Sequence, residues 1–567
     1  YLARAGGATF AGNSATWDDL SRVFQGLVRW LSGEVRLPSF DYWYRGTRII
    51  PHTINEFPFF SYLFADLHPH MISIPFTMLV VAFCLALVHR EQRDGLWSSL
   101  RWAAMALTVG ALGVINTWDF PTFWGIAACA MLYRGYRLRS MRGIVEGAVS
   151  ALVLALVALL LYAPFYAHYR AQHVGLALVS ATERTRLAPF LDIWGFYLFL
   201  VVSLLGMWAI QSLRWRRLSR LAKWRGWRYT LRYLWALGRR GVVAWGASAA
   251  LVVVGVIIGV LLGSKGMLVL AVLVPLLAVA GVLWLRSGRD EIAYLQRLML
   301  AIGLAILVGV EVIYLRDFLS GSEWRRMNTL FKFYMQVWVL LGLAAGSALP
   351  AMWRGIARRG ALARITWRGA FTLLLGSSLI YTAMALPARV NERFPSAWPP
   401  RGTLDGTAYM TTAIYEWPDE DHRVRLAYDR EAIAWLWEHV EGTPVLAEAP
   451  LGFYREGGLR ICSYTGLPTI VGAHQREQRP WDAVEPRESD AEALYSTTDR
   501  REFLDILARC RVRYIYVGQL ERYVYAGVGL DKFEEMAQDE VLARVFHNKE
   551  VDIYEVLLDW NTWDSYG

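Results

Sequence analysis

Residues 242–262 read VVAWGASAALVVVGVIIGVLL, twenty-one positions without a charge. After Gly263-Ser264-Lys265, residues 266–286 continue GMLVLAVLVPLLAVAGVLWLR, charged only at the last position. At about 1.5 Å per helical residue, each run matches the roughly 30 Å hydrocarbon core of a bilayer. Such a run must be helical there, because lipid offers an unpaired backbone amide no partner. Working outward, similar runs occur at 72–88, 101–115, 119–133, 144–166, 191–211, 297–315, 329–351 and 369–387, so about ten membrane helices are expected. The second and third are short, and Asn116-Thr117-Trp118-Asp119 between them leaves a re-entrant turn open as an alternative. Composition agrees: the 567 residues are 55% hydrophobic and 19% charged, below the roughly 25% charge of a soluble protein. The expected fold is a polytopic α-helical membrane bundle with a C-terminal extracytoplasmic α/β domain.

Charge sets the orientation. Loops at 89–101, 134–142, 212–240, 286–297 and 352–368 carry 25 Arg and Lys, and the alternate loops at 116–118, 167–190, 263–265 and 316–328 carry seven. The positive-inside rule puts the first set in the cytoplasm. Parity then puts residues 1–71, and everything after Pro387, outside the plasma membrane. These loops account for the net charge of +10, so the expected partner is the lipid bilayer and not nucleic acid. The chain opens Tyr1-Leu2-Ala3 without Met and reads as the C-terminal part of a longer protein, with its first membrane helices upstream. Cys84 and Cys129 fall in membrane helices. Cys462 and Cys510 fall in the soluble part, either as a disulfide of an oxidising compartment or as two free thiols.

Four regions follow. Residues 1–71 form an extracytoplasmic loop whose amphipathic stretch Trp17–Leu31 is expected to lie along the membrane surface. Residues 72–387 form the membrane domain, 388–427 a linker rich in Pro, Arg and Gly, and 428–567 an α/β domain. In that domain Asp429 is expected to cap a helix to about Val440, ahead of strand-like segments at 444–449, 460–464 and 469–472. Asp499 and Glu502 resemble a capping box opening a helix to Cys510. A strand at 512–518 and a hairpin from 545–546 and 551–556 complete it.

Polar residues collect in four places. Glu56 precedes Asp66, His68 and His70, which alternate, so an extended backbone would point all three one way. Pro69 favours that conformation at His68. A carboxylate and two imidazoles could hold a divalent metal ion, bind phosphate or share a proton; alternatively Asp66 caps a helix and the histidines sit wet at the interface. The second cluster contains Arg316, Asp317, Glu323, Arg325, Arg326, Asn328, Lys332 and Gln336, of which Arg325, Asn328, Lys332 and Gln336 follow the i, i+3, i+7, i+11 spacing of one helical face. A lysine at membrane depth needs a partner or a wet cavity, and Glu311 is the expected partner. This basic stripe suits a lipid-linked phosphate; alternatively Lys332 snorkels and pairs with Glu311. Asp119 is either a third site acid or a helix N-cap ahead of Pro121. His474, Arg476 and Glu477 lie in a donor-rich loop of the α/β domain. Neither nucleotide-binding glycine pattern is present, nor GxSxG.

Five segments carry a resemblance: TINEFPFFSYLFADLHPHMISIPF (53–76), NTWDFPTFWG (116–125), RMNTLFKFYMQVWVLLGLAAG (326–346), GLPTIVGAHQREQR (466–479) and VRYIYVGQLER (512–522). They resemble the YYY membrane protein family, although the tyrosine-rich motif that names it is not in this chain. That family in turn resembles the GT-C superfamily of membrane glycosyltransferases, which take sugars from polyprenyl-phosphate carriers at the extracytoplasmic face. The resemblance implies a GT-C-like bundle. It implies a catalytic acid (Asp66, Glu56, Asp119 or one upstream) that deprotonates the acceptor or, with His68 and His70, holds a divalent metal. Arg325, Arg326 and Lys332, with Asn328 and Gln336, would then face the departing lipid phosphate. His68, His70, Glu323, His474, Arg476 and Glu477 would be further polar groups of the site. The alternatives are a transporter or flippase of a lipid-linked or anionic substrate, and a non-catalytic subunit of an envelope complex.

Overall fold

The apolar runs fold as long helices packed side by side. The computed structural model describes residues 17–35, 40–65, 67–89, 96–137, 140–169, 175–212, 238–288, 290–317, 319–394, 400, 402–417, 419, 421–451, 457–472, 479–525 and 527–558. The helices α1 (Trp17–Leu31) and α2 (Pro58–Phe64), with a single helical turn at Tyr44–Thr47 between them, precede the bundle. The bundle then comprises α3 (Pro69–Val88), α4 (Leu96–Ile115), α5 (Asp119–Arg137), α6 (Met141–Leu161) and α7 (Leu187–Ser212). It continues with α8 (Gly238–Ser264), α9 (Leu268–Leu285), α10 (Glu291–Val310), α11 (Met327–Ala357) and α12 (Ala361–Arg393). Among the described residues nine of these are long and apolar enough to cross a membrane. The exception is α5, which carries Asp119, Arg134 and Arg137 yet sends fully buried Phe123, Ile126, Ala127 and Ala130 into the shared core. The protein is a polytopic helical membrane protein.

Small residues let α5 and α6 approach closely, as helices do where lipid gives no hydrophobic drive. A Cβ at Gly135 would overlap the backbone of Gly143. No re-entrant segment forms at 116–118: α4 and α5 meet through a tight turn closed by Asp119 N–H to Asn116 O (2.8 Å). The run expected as helix over 297–315 instead stops at Val310. Glu311 is drawn into buried polar contacts there, and β2 (Ile313–Leu315) pairs antiparallel with β1 (Leu176–Leu178). On α1, Phe24, Val28 and Leu31 recur at helical spacing and are exposed.

Residues Val390–Gly567 form a compact unit of their own, separate from Tyr1–Arg389. Its elements are β3 (Ile414–Glu416), β4 (Arg423–Arg425), α13 (Leu426–His439), β5 (Val445–Ala447), α14 (Arg460–Thr465) and α15 (Trp481–Ser496). There follow α16 (Arg500–Cys510), β6 (Val512–Val517), α17 (Gln519–Val524), α18 (Val528–Gln538), β7 (Leu542–His547) and β8 (Asp552–Val556). A four-stranded sheet runs β5-β6-β8-β7, with β5 parallel to β6 and the other pairs antiparallel. Alternation covers both faces: Ile515 and Val517 pack with Leu494, Phe503 and Phe533, whereas Tyr516 and Ile553 pack with Ile433 and Leu436.

Several local expectations are corrected in this unit. The stretch read as a linker holds the β3–β4 hairpin, and its Met410 and Val424 are buried in the core. Residues 460–464 are helical and not a strand, because buried Glu448 accepts the backbone N–H of Ile461 (3.0 Å) and Cys462 (2.9 Å), satisfying first-turn donors. Residues 469–472 are irregular. Asp429 does not cap α13, which starts at Leu426; it is fully buried and accepts from Arg460 Nε (2.8 Å) and the Tyr516 hydroxyl (2.5 Å). Asp499 does cap α16, through Arg501 N–H (2.8 Å), but Glu502 accepts from the Thr497 hydroxyl and does not close a box. All four cysteines are free, Cys462 and Cys510 included.

Lys532 on α18 is buried, donates to Thr497 O (2.8 Å) and lies 5.3 and 5.1 Å from the ring centroids of Phe503 and Phe533. Burial pushes its pKa down to about 8. The folded unit therefore holds this proton less tightly than the unfolded chain, and the cost is full below pH 8. It is relieved as pH climbs toward the ordinary 10.5. Relative to Lys532→Met, wild-type stability is expected to rise over that window by about 1 kcal/mol after solvent screening. Urea midpoints of the two proteins at about pH 7.5 and about pH 10 test this, and parallel midpoints would refute it.

Candidate functional site

Polar side chains gather at the end of the bundle where α3, α5 and α11 begin. Pro58 opens α2, and Ala65 closes it in the left-handed region (φ 59°), turning the chain toward α3. Pro69 then starts α3 behind an extended His68 (φ −69°, ψ 148°). His70 thus lies in the first helical turn, which corrects the expectation of Asp66, His68 and His70 fanned along an extended strand. The helix turns His70 into the bundle. It is buried, with Nε2 3.0 Å from Glu56 Oε2, and the Ser61 hydroxyl donates to the same oxygen (2.8 Å). A carboxylate only accepts, so Glu56 selects the Nε2–H form of His70. Phe331 of α11 meets the His70 ring edge-on at 4.3 Å, and the His68 ring is 5.4 Å away. Asp66 lies outside the described residues. Among those described, no three of His, Cys, Asp and Glu are grouped to hold a metal ion.

Asp119 is the first residue of α5 and is buried. Asn116 Nδ2 donates to it (3.0 Å), and Ser73 of α3 and Gln336 of α11 flank its carboxylate. Gln336 is fixed in turn: its Nε2 donates to Trp118 O (2.9 Å), and the Thr122 hydroxyl donates to its Oε1 (2.7 Å). One turn earlier on the same face is Lys332, and one turn before that Asn328, whose Nδ2 donates to Asp317 Oδ2 (2.7 Å). Half-buried Lys332 therefore sits between Asp317 and Asp119. Among the described residues it has no hydrogen bond and no ion pair. Directly below Gln336, α11 presents buried Val337, Leu340, Leu341, Ala344 and Ala345 to the core, which ends the polar junction; further along, Gln296 of α10 donates to the Ser347 hydroxyl of α11 (3.1 Å).

The arginines are corrected. Helix α11 starts at Met327, so Arg325 lies outside the helical stripe, where it pairs with Glu183 (2.7 Å). Burial alone would raise Glu183, but the Ser180 hydroxyl and amide, with Arg325 and Arg326, hold it below the usual carboxylate range. Arg326 is buried and pairs with buried Glu311 (3.0 Å), donating also to Val310 O (2.9 Å) and Glu183 O. Glu311 accepts from Thr185 N–H (2.9 Å) and hydroxyl (2.6 Å) as well. Glu311 is therefore the partner of Arg326 and not of Lys332, and Arg326 is committed to a buried ion pair. Glu323 pairs at the surface with His52 (3.4 Å). His474, Arg476 and Glu477 lie outside the described residues. The junction thus unites Glu56, His70, Asp119, Asn328, Lys332 and Gln336, and leaves out Arg325, Arg326 and Glu323. Asp317, expected in the second cluster, joins through Asn328, and sequence reasoning missed Ser73 as a member. Ser73 stands at i+3 from His70, a spacing that signals a shared face.

The family described as uncharacterized membrane protein (DUF2298) matches residues 5–341, a span that includes every group of this junction. No curated protein matches the chain.

Proposed function

The chain belongs to this family of uncharacterised membrane proteins, and we propose that it is a GT-C-type glycosyltransferase using a polyprenyl-phosphate-linked sugar donor. One observation carries the reading: an ammonium, Lys332, stands inside a membrane helix beside two carboxylates and is bonded to neither. A charge held at that depth marks a substrate site by default, and a phosphate oxygen would complete its coordination. Loop charge supports a plasma-membrane protein with this junction, and residues after Pro387, on the extracytoplasmic side. Glu56, less buried than Asp119 and joined to His70 and Ser61, takes the acceptor's proton in this reading. Lys332 offsets charge on the departing lipid phosphate. Asp119, fenced by Asn116 and Gln336, favours the charged form of Lys332. A transporter would need polar groups continuing toward the other face; the apolar packing below Gln336 favours the one-sided enzyme.

Undecaprenyl phosphate binding in detergent tests the reading. Lys332→Met is expected to weaken it about tenfold or more, the 1.5–3 kcal/mol or so of a charged hydrogen bond. The fold should survive, since methionine suits a membrane helix and Arg326, not Lys332, neutralises Glu311. Undiminished binding by a well-folded Lys332→Met protein would remove the lipid phosphate from this site.

A further inference from the structure

Helix α11 leaves the polar junction, runs 31 residues to Ala357, and the chain reverses into α12 at Ala361. That reversal lies about 45 Å along the helix from the junction, at the opposite membrane boundary. It carries Arg354, Arg358, Arg359, Arg364 and Arg368, and the chain holds no Asp or Glu between Glu323 and Glu392. Glu392 is at the far end of α12, so the hairpin has no carboxylate near its turn. Among the described residues none of the five guanidiniums makes an ion pair or a hydrogen bond. Other arginines at this boundary do find partners. Arg137 pairs with Glu291 and donates to Val88 O (3.0 Å), Arg142 pairs with Glu146 (2.8 Å), and Arg286 donates to the Ser248 hydroxyl (3.0 Å). Topology accounts for arginines in a turn, but not for the placement of Arg368. It stands two turns inside α12, half-buried, 4.7 Å over the ring of Trp353 from α11, with a buried Nε that has no acceptor. Trp353 packs in turn on Trp367 (5.9 Å) and Phe371 (5.8 Å). Trp367 is pinned to α7 by its Nε1–H to the Ser203 hydroxyl (2.9 Å). This aromatic shelf carries Arg368 on the same face as Arg364, one turn earlier.

We propose that the α11–α12 turn binds the phosphate head group of an anionic phospholipid, held by Arg364 and Arg368 of α12 with Arg354 and Arg358 at the end of α11. Each pair stands at i, i+4 on its own helix, one turn apart. A guanidinium fork matches phosphate oxygens, and a cation lying on an aromatic ring without an acceptor gains most from one. The surroundings select a lipid over a water-soluble anion. Leu362 and Ile365 are 76% and 70% exposed among these charges, and Leu373 is exposed on α12 beyond them. A soluble anion would leave those side chains wet, whereas acyl chains hanging from a bound head group cover them. This site lies across the membrane from the polar junction and does not depend on the transferase reading.

Native mass spectrometry of the full chain in detergent tests this, comparing phosphatidylglycerol with phosphatidylcholine of identical acyl chains at fixed ionic strength. Wild type is expected to bind phosphatidylglycerol about tenfold or more tightly than phosphatidylcholine, at roughly fivefold per guanidinium near the phosphate. Arg364→Gln with Arg368→Gln should remove most of that preference and leave phosphatidylcholine binding unchanged. Neither side chain has a polar partner in the protein, so the melting temperature without added lipid should hold. If that variant melts early, Arg354→Gln with Arg358→Gln, both exposed, gives the same reading. Arg142→Gln, exposed and paired at the same boundary, is the charge control and should keep the preference. Equal binding of the two lipids by wild type overturns the proposal. So does a folded double variant that keeps the preference, or an Arg142→Gln protein that loses as much, which would make the attraction diffuse. Excess inorganic phosphate that displaces the lipid would make this a site for free anions and overturn it as well.

Discussion

Arg326→Met is expected to cost about 3–5 kcal/mol, the penalty for removing one member of a buried ion pair. Arg326 is 4% exposed and Glu311 1%. With the guanidinium gone, Glu311 retains only the two Thr185 donors, and the carbonyls of Val310 and Glu183 lose theirs. Those bonds tie the loop before α7 to the end of α10 and the start of α11, so the damage should spread beyond one contact. The double variant Arg326→Met with Glu311→Gln should recover most of the loss, because no uncompensated charge then remains. Thermal unfolding in detergent of wild type, single and double variants decides it. A single variant melting within about a degree of wild type would show that the pair does not hold the bundle.

A comparable loss is expected for Arg460→Met in the second unit. Arg460 donates to Asp429 (2.8 Å) and reaches Glu521 (3.5 Å), both fully buried. Two of their oxygens, Asp429 Oδ2 and Glu521 Oε1, have no hydrogen bond even with Arg460 in place. Removing the only guanidinium shown bonded to both carboxylates should cost about 3–5 kcal/mol, read as a fall in the urea midpoint of this unit. Burial already holds Glu448 above the usual carboxylate range against the pull of Cys462 and Arg460. Losing Arg460 raises it further. A folded state that binds its proton more tightly than the unfolded chain gains as pH falls. The variant should therefore recover part of its stability between neutral pH and the ordinary carboxylate range, and a midpoint that drops further there would contradict this account.

Span positions were legible because length and charge decide them: a run of apolar residues bounded by arginines has one stable home. The charge partners were not. Pairing Lys332 with Glu311 assumed a helix continuing to 315, which would have kept Glu311 on a neighbouring face. The chain breaks at Glu311 into a short strand instead, and Arg326, just before α11, takes the carboxylate. His70 was misread for a related reason. Alternation suggested a strand, but Pro69 is a good first helical residue and starts α3 there. In the second unit β6 and the β7–β8 hairpin were visible as alternating branched and aromatic residues. Arg460–Thr465 was not, since RICSYT has the local preferences of a strand and is held helical by Glu448, distant in sequence. Asp429 carried the signature of a cap and serves as a counter-ion, a distinction only tertiary contacts make.

The closed floor beneath Gln336 has a logistical consequence. Under the proposed function, whatever this protein consumes must already be displayed on the leaflet its site faces, because Val337, Leu340, Leu341 and Ala344 lay an apolar floor beneath the junction that a charged head group would have to cross. Donor assembled on the opposite leaflet would need a separate protein to turn it over. Each turnover would likewise strand one spent carrier on the working side, which another protein must return. A cell depleted of either service should accumulate unused donor on one leaflet or bare carrier on the other, with this protein intact and idle between them.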